Sequence, residues 1–365
     1  MYKSKSLILG FALFTSPAQL IASEFELFQQ PVSWQLMTTS VYRQLTSTAP
    51  ADLNRNTELE SHRFGLLFGG QIWTKFDLSP HFEWQLNLFA NTTGYEASYQ
   101  WQGETSDITD LPNRSFFSLI NGIKTSLDYT EQLPIDLALD LYYMNEHVYQ
   151  VNSDTPLSDI EGIRRRYYEA RPRVSYNWSA ERSFHLELIA DKGFDYLDQD
   201  LSYDTYSEDL SFKLSYLGKI DSDKTLNIDI YRLSFTTNEV FNNRDRFAIS
   251  ANYSQAFWKF DRASVGAAFF TDNYQTDRVL TDTRDGRVIG SDKPEDTGLL
   301  LEGYLRFPWK DLYFFSEGQY LNVDSDTEIN RYDYFELLVG IEFEEESRTE
   351  RPRYFKLTRP IPENL

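Results

Sequence analysis

From about Val32 to Glu345, apolar and polar residues alternate in one segment after another. Phe82-Glu83-Trp84-Gln85-Leu86-Asn87-Leu88 is one such run, and Leu210-Ser211-Phe212-Lys213-Leu214-Ser215-Tyr216 is another. A period of two sends successive side chains to opposite faces of a β-strand. The pattern predicts fourteen strands, at 32–45, 61–78, 81–93, 115–130, 134–149, 164–178, 183–194, 207–220, 224–238, 244–259, 262–274, 295–307, 311–323 and 331–345. Helical periodicity is absent after the first thirty residues.

The connections between these segments fall into two classes that take turns. The short ones are Ser79-Pro80, Glu131-Gln132-Leu133, Ser179 to Arg182, Asp221-Ser222-Asp223, Phe260-Asp261 and Pro308-Trp309-Lys310, rich in turn formers and charge. The long ones run over 46–60, 94–114, 150–163, 195–206, 239–243, 275–294 and 324–330. Short turns at one end and long loops at the other are the layout of a membrane barrel, whose strands need only one apolar face. An even strand number returns both termini to one end. The first connection is long, so that end is the short-turn end. The predicted fold is all-β: a transmembrane antiparallel up-and-down β-barrel of about fourteen strands, with short periplasmic turns and long extracellular loops. Both termini are expected in the periplasm.

The two faces suit lipid outside and water inside. Phe184, Leu186, Leu188 and Ala190 oppose Ser183, His185, Glu187 and Asp191. Tyr168, Ala170, Val174, Tyr176 and Trp178 oppose Arg165, Glu169, Arg171 and Arg173. A basic side chain on the lipid face costs about 2–4 kcal/mol at the membrane midplane, so the charged set is expected to look inward. Trp34, Trp84, Trp178 and Trp309 fall near the short-turn ends, where an aromatic girdle belongs.

Composition narrows the possibilities. The chain has 365 residues, no Cys and a formal charge of -21, which argues against nucleic acid as a partner. No internal apolar run is long enough for a membrane helix. Much of the acid lies in the long segments, as in Asp195 to Asp209. Residues 1–23 read as a signal peptide: Lys3 and Lys5, then an apolar stretch from Leu7 to Phe14, then Ala22 and Ser23 at the cut. They contain two bases and no acid, so their removal takes the charge from -21 to -23. The barrel is expected over 24–346. Residues 347–365 form a basic tail, in which Pro352, Pro360 and Pro362 oppose regular structure. This tail is either free in the periplasm, folded against the pore mouth, or docked on a periplasmic partner.

The chain resembles the Gram-negative outer-membrane β-barrels, in particular the monomeric 14-stranded porin-like channels. The resemblance covers 24–345 as a pattern. Its last strand, Tyr334-Phe335-Glu336-Leu337-Leu338-Val339-Gly340-Ile341-Glu342-Phe343, looks like the terminal strand that such proteins present to the barrel-assembly machinery. Here 22 residues follow Phe343, and Tyr354-Phe355-Lys356-Leu357 is a competing candidate for the last strand. The resemblance implies passive diffusion of small hydrophilic, anionic or sugar-like solutes, with outer-membrane lipid and lipopolysaccharide around the barrel. An export conduit or assembly partner for a secreted polysaccharide or other polymer is the second expectation.

Parity nominates the pore lining: Arg63, Lys75, Glu83, Lys124, Asp136, Asp140, Arg165, Arg171, Arg173, Glu187, Lys213, Arg246, Glu302, Arg306 and Glu336. Charged groups in a water-filled channel filter solutes by charge. Arg164 to Arg173 holds five Arg in ten residues. They either guide anionic solutes or pair with acids such as Asp140 and Glu187 and brace the wall. No phosphate loop, metal-spaced His pair or cofactor motif is present. Asp324-Ser325-Asp326-Thr327-Glu328 alternates acids, but Ile329 occupies the position where a calcium loop turns on Gly, so it reads as a solvated loop. A surface hydrolase is the third expectation, with His147 and Asn145 on one face as its best constellation.

Overall fold

The computed structural model describes residues 26–27, 30–48, 58–102, 114–130, 134–151, 162–197, 205–221, 223–237, 243–275, 278–281, 288–292, 295–310, 312–325 and 331–344. The expected signal peptide and tail and much of the long connections lie outside these residues, as does Tyr354-Phe355-Lys356-Leu357.

The strands are β1 (Glu26–Leu27), β2 (Gln30–Thr48), β3 (Glu58–Ser79), β4 (Phe82–Gln102), β5 (Arg114–Thr130), β6 (Ile135–Val151), β7 (Gly162–Ser179), β8 (Arg182–Leu197), β9 (Thr205–Asp221), β10 (Lys224–Thr237), β11 (Arg244–Phe257), β12 (Phe260–Tyr274), β13 (Arg278–Thr281), β14 (Val288–Asp292), β15 (Glu295–Trp309), β16 (Leu312–Ser325) and β17 (Tyr332–Glu344). Leaving out β1, β13 and β14, fourteen long strands pair with their neighbours, and β2 pairs with both β3 and β17. The ring is therefore closed and every ladder is antiparallel. Closure gives each backbone N–H and C=O an interstrand partner and leaves no open edge among the long strands.

Each of the fourteen predicted strands is present, with ends displaced by a few residues. Three connections differ from expectation. Residues 94–102 belong to β4, which continues past the predicted end at 93 and stays paired with β3 as far as Glu58↔Gln102. The segment 275–294 contains the β13–β14 hairpin, which stands apart from the barrel sheet. The turn placed at Phe260-Asp261 is made by Trp258-Lys259, with Trp258 at φ 55 and Phe257 facing Phe260. Neither Trp nor Lys is a turn-forming type, whereas Asp261, which suggested the turn, serves as a carboxylate partner of Arg306.

The ladders show how the strands tilt. From Ser47, at the loop end of β2, the partners run through Tyr332, Val323, Gly298, Phe270, Ala248 and Tyr231 to Lys213. They continue through Glu187, Arg173, Ala138, Asp128 and Glu83 to Asp77, beside the Pro80-His81 turn at the other end. One circuit thus descends most of the barrel's height, as expected for strands inclined at roughly 35–45° to the axis. With a strand spacing of about 4.8 Å, such a ring is about 28 Å across between opposite strands.

The outer face is apolar and uncovered. Leu186, Phe212, Ile230, Phe247, Val265 and Leu301 are all exposed, and in each long strand except β2 the exposed large apolar residues share one parity. A continuous apolar surface of this extent is incompatible with water and matches the lipid-facing band of a barrel. Trp178, Trp258 and Trp309 project outward at the short-turn end. Trp84 lies at the same end and stacks on Phe76 at 4.7 Å.

Candidate functional site

The inner face carries the charge. All fifteen residues nominated from sequence have the parity opposite to the exposed apolar set. They do not gather at one point. They are strung around the wall, and most are paired across neighbouring strands.

On β3 to β10 the pairs form an open network. Lys75 bonds to Glu83, and Lys124 lies 3.5 Å from Asp140. Arg165 reaches Glu146 at 3.4 Å, and Glu146 also accepts a hydrogen bond from Ser118. Arg171 bonds to Glu169 at 2.8 Å and approaches Glu187 at 3.9 Å. Arg173 lies 3.6 Å from Asp128, Lys213 lies 3.5 Å from Asp229, and Asp136 accepts from Asn177 Nδ2. Of the two readings of the Arg164–Arg173 region, the bracing one describes Arg165, Arg171 and Arg173. Glu146, Glu169, Asp128 and Asp229 were not among the nominated residues, although their parity was readable.

On β11 to β17 the arrangement is denser. Arg246 gives Nε and Nη2 to the two oxygens of Asp272, both at 2.6 Å, and both residues are only 2% exposed. Arg244 lies 3.4 Å from the same carboxylate. The Phe270 ring covers Arg246 at 4.1 Å. Phe270, Leu321, Val323 and Tyr334 form a buried cluster inside the barrel, with Leu45, Ala248, Leu300 and Tyr332 against it. Apolar residues thus occupy inward positions that alternation alone would assign to water. Lower on this side, Arg306 bonds to Asp261 and approaches Glu342 at 3.9 Å. Glu302 stands inward between Gly266 and Gln319 in register.

A third group occupies β17, β2 and β3. Glu336 accepts from Arg43 Nε, from the Tyr334 hydroxyl at 2.9 Å and from Gln319 Nε2 at 3.0 Å. Arg63 lies directly opposite Arg43 and sits 5.7 Å above the Tyr95 ring. Arg43 was missed by the sequence reading; its odd position on β2, shared with Val41 and Thr39, is the signal that would have found it.

His147 and Asn145 share the outward parity on β6, across from Arg164 and Arg166. His185 instead lies inside, between Ser183 Oγ at 2.8 Å and Ser175 Oγ at 2.7 Å. Among the described residues no group of His, Asp or Glu is spaced to hold a metal ion.

A closed ring with an apolar outer face and a charged inner face defines a transmembrane β-barrel of the outer-membrane kind. No protein-family model matches the chain, and no curated protein matches it in sequence. Solved barrels are similar in structure. A mutant of the TodX monoaromatic hydrocarbon channel aligns at TM-score 0.48 and 10% identity, covering 86% of this chain and 90% of that one. A Pseudomonas aeruginosa FadL homologue aligns at TM-score 0.43 and 10% identity, with coverages of 86% and 90%. The translocator domain of the autotransporter NalP from Neisseria meningitidis aligns at 0.36 and 10%, covering 85% and 88%.

Proposed function

We propose that the protein is an outer-membrane channel for passive diffusion of small hydrophilic solutes, with both termini in the periplasm. The observation that carries this reading is the inner wall. Fifteen nominated charged residues and their partners line the inside of a ring about 28 Å across, wider than side chains alone fill in small barrels. Bases and acids are interspersed around it, so the lumen presents local fields of both signs to a passing solute. The start of β2 and the end of β17 both lie at the short-turn end, because Leu36 and Leu312 flank Phe343. In outer-membrane barrels that end faces the periplasm.

The test is conductance of the purified barrel in a planar bilayer. Stepwise, ohmic openings in potassium chloride are expected. Correct insertion with no conductance at any voltage would sink the channel reading. Protease access to a tag placed after Leu365, in intact and in permeabilised cells, tests the orientation: cleavage is expected only after permeabilisation.

A further inference from the structure

Arg43 and Arg63 face each other directly across the β2–β3 ladder on the inner wall. Like charges in that relation destabilise a sheet unless something neutralises them. Glu336 cannot serve both. Its carboxylate already takes Arg43 Nε, the Tyr334 hydroxyl and the Gln319 amide. Those bonds fix the Arg43 guanidinium by one edge and leave its Nη groups without a described partner. The side chain is still 40% exposed to the lumen. Arg63 has no carboxylate among the described residues. Its guanidinium carbon lies 5.7 Å from the centre of the Tyr95 ring.

Beside the two guanidinium groups the wall forms a shallow cleft, lined by Val41, Gly65, Thr93 and Tyr95. Gly65 lets Tyr95 pack tightly against β3, because a Cβ there would come within 2.6 Å of Tyr95 Cβ and of the Gly94 carbonyl oxygen. Two guanidinium groups with one surplus positive charge between them meet at this cleft on the inner wall. Guanidinium pairs match the oxygens of carboxylates and phosphates in just this way.

We propose that Arg43 and Arg63 form an oxyanion-binding station on the inner wall, which takes the carboxylate or phosphate group of a small solute. Glu336 acts as a positioning residue for Arg43. The inference deepens the channel reading and takes from it a water-filled lumen, but binding at the station does not require conduction.

The experiment has two arms. In the first, calorimetry titrates inorganic phosphate into the detergent-solubilised barrel at low ionic strength. One site is expected, with affinity at least tenfold weaker in Arg63→Gln and in Arg43→Gln, and unchanged in Lys75→Gln. Arg63→Gln also removes the repulsion, so its unfolding midpoint in phosphate-free buffer should equal or exceed that of the wild type. Arg63→Lys keeps the charge but not the fork and should fall between. In the second arm, phosphate should reduce the chloride conductance of the wild type but not of Arg63→Gln. Equal phosphate binding in the wild type and Arg63→Gln, or none in either, overturns the station. A barrel that binds phosphate through Arg63 yet never conducts overturns the channel reading and leaves the station standing.

Discussion

Arg171 and Arg246 look into the same barrel and each bonds to carboxylates, yet their surroundings differ sharply. Arg171 sits between Glu169 and Glu187 with its side chain 23% exposed, and its neighbours Lys124, Asp140 and Arg173 are likewise reached from the lumen. Arg246 and Asp272 are sealed under Phe270. Geometry alone would rank these pairs as similar. What separates them is access to water. A pair that can be rehydrated loses little when one partner goes, roughly 0–1 kcal/mol. A pair that cannot leaves a stranded charge, at about 3–5 kcal/mol. The Arg246–Asp272 pair is therefore the more costly of the two to break.

The largest expected effect follows from the sealed pair. Asp272→Ala takes from Arg246 the carboxylate that it grips with two hydrogen bonds and should lower the unfolding free energy by about 3–5 kcal/mol. Asp140→Ala, whose pair is less enclosed, should lower it by less than Asp272→Ala does. Urea unfolding in lipid vesicles reads both. Equal losses would break the distinction between the two sides.

Next comes the cover itself. The Phe270 ring lies over Gly298, where a Cβ would meet the ring at 2.0 Å. Gly298→Ala should push the ring off Arg246 and cost about 1–3 kcal/mol as overpacking. Combined with Asp272→Ala, its effect should be less than additive, because the two share one site. Full additivity would show that Phe270 does not seal the pair.

The sequence made the strands and their faces legible because alternation is local: one strand's residues suffice to separate Leu186 from Glu187. Parity likewise put the fifteen nominated charges on one face, although Arg164, Arg166 and Arg232 lie on the other. Other features depended on distant residues. Leu321 and Val323 are apolar at inward positions, and only the ladder shows that they lie beside Tyr334 and Phe270 rather than beside water. The turn at Trp258-Lys259 uses residues with no turn signature. Arg43 gained its importance from Arg63 and Glu336, which are brought beside it by β3 and by closure onto β17.

A smaller effect sharpens the contrast through permeation instead of stability. Arg173, whose side chain is 14% exposed, faces Asp128 on the open side. Arg173→Gln should change the unfolding free energy by about 1 kcal/mol or less. It should nevertheless shift the reversal potential in a potassium chloride gradient toward cation preference, by removing a positive charge from the lumen. The same gradient across Arg246→Met should show no shift, since that charge and its Asp272 partner are screened from the lumen by Phe270. A shift in Arg246→Met as large as in Arg173→Gln would show that ions reach the sealed pair.

The smallest effect concerns salt. Raising ionic strength from 0.1 to 1 M shortens the screening length from about 10 Å to about 3 Å. Ions that enter the lumen then weaken the Lys124–Asp140 and Arg173–Asp128 attractions, whose groups stand 3.5 and 3.6 Å apart in the open network. Mobile ions do not enter the space between Arg246 and Asp272, which Phe270 and the strands enclose. The stability difference between wild type and Asp140→Ala should therefore shrink toward zero in high salt, while the difference for Asp272→Ala keeps most of its size. Both follow from the same unfolding curves measured at two salt concentrations, and a parallel loss in the two variants would mean that water and ions reach both sides of the wall alike.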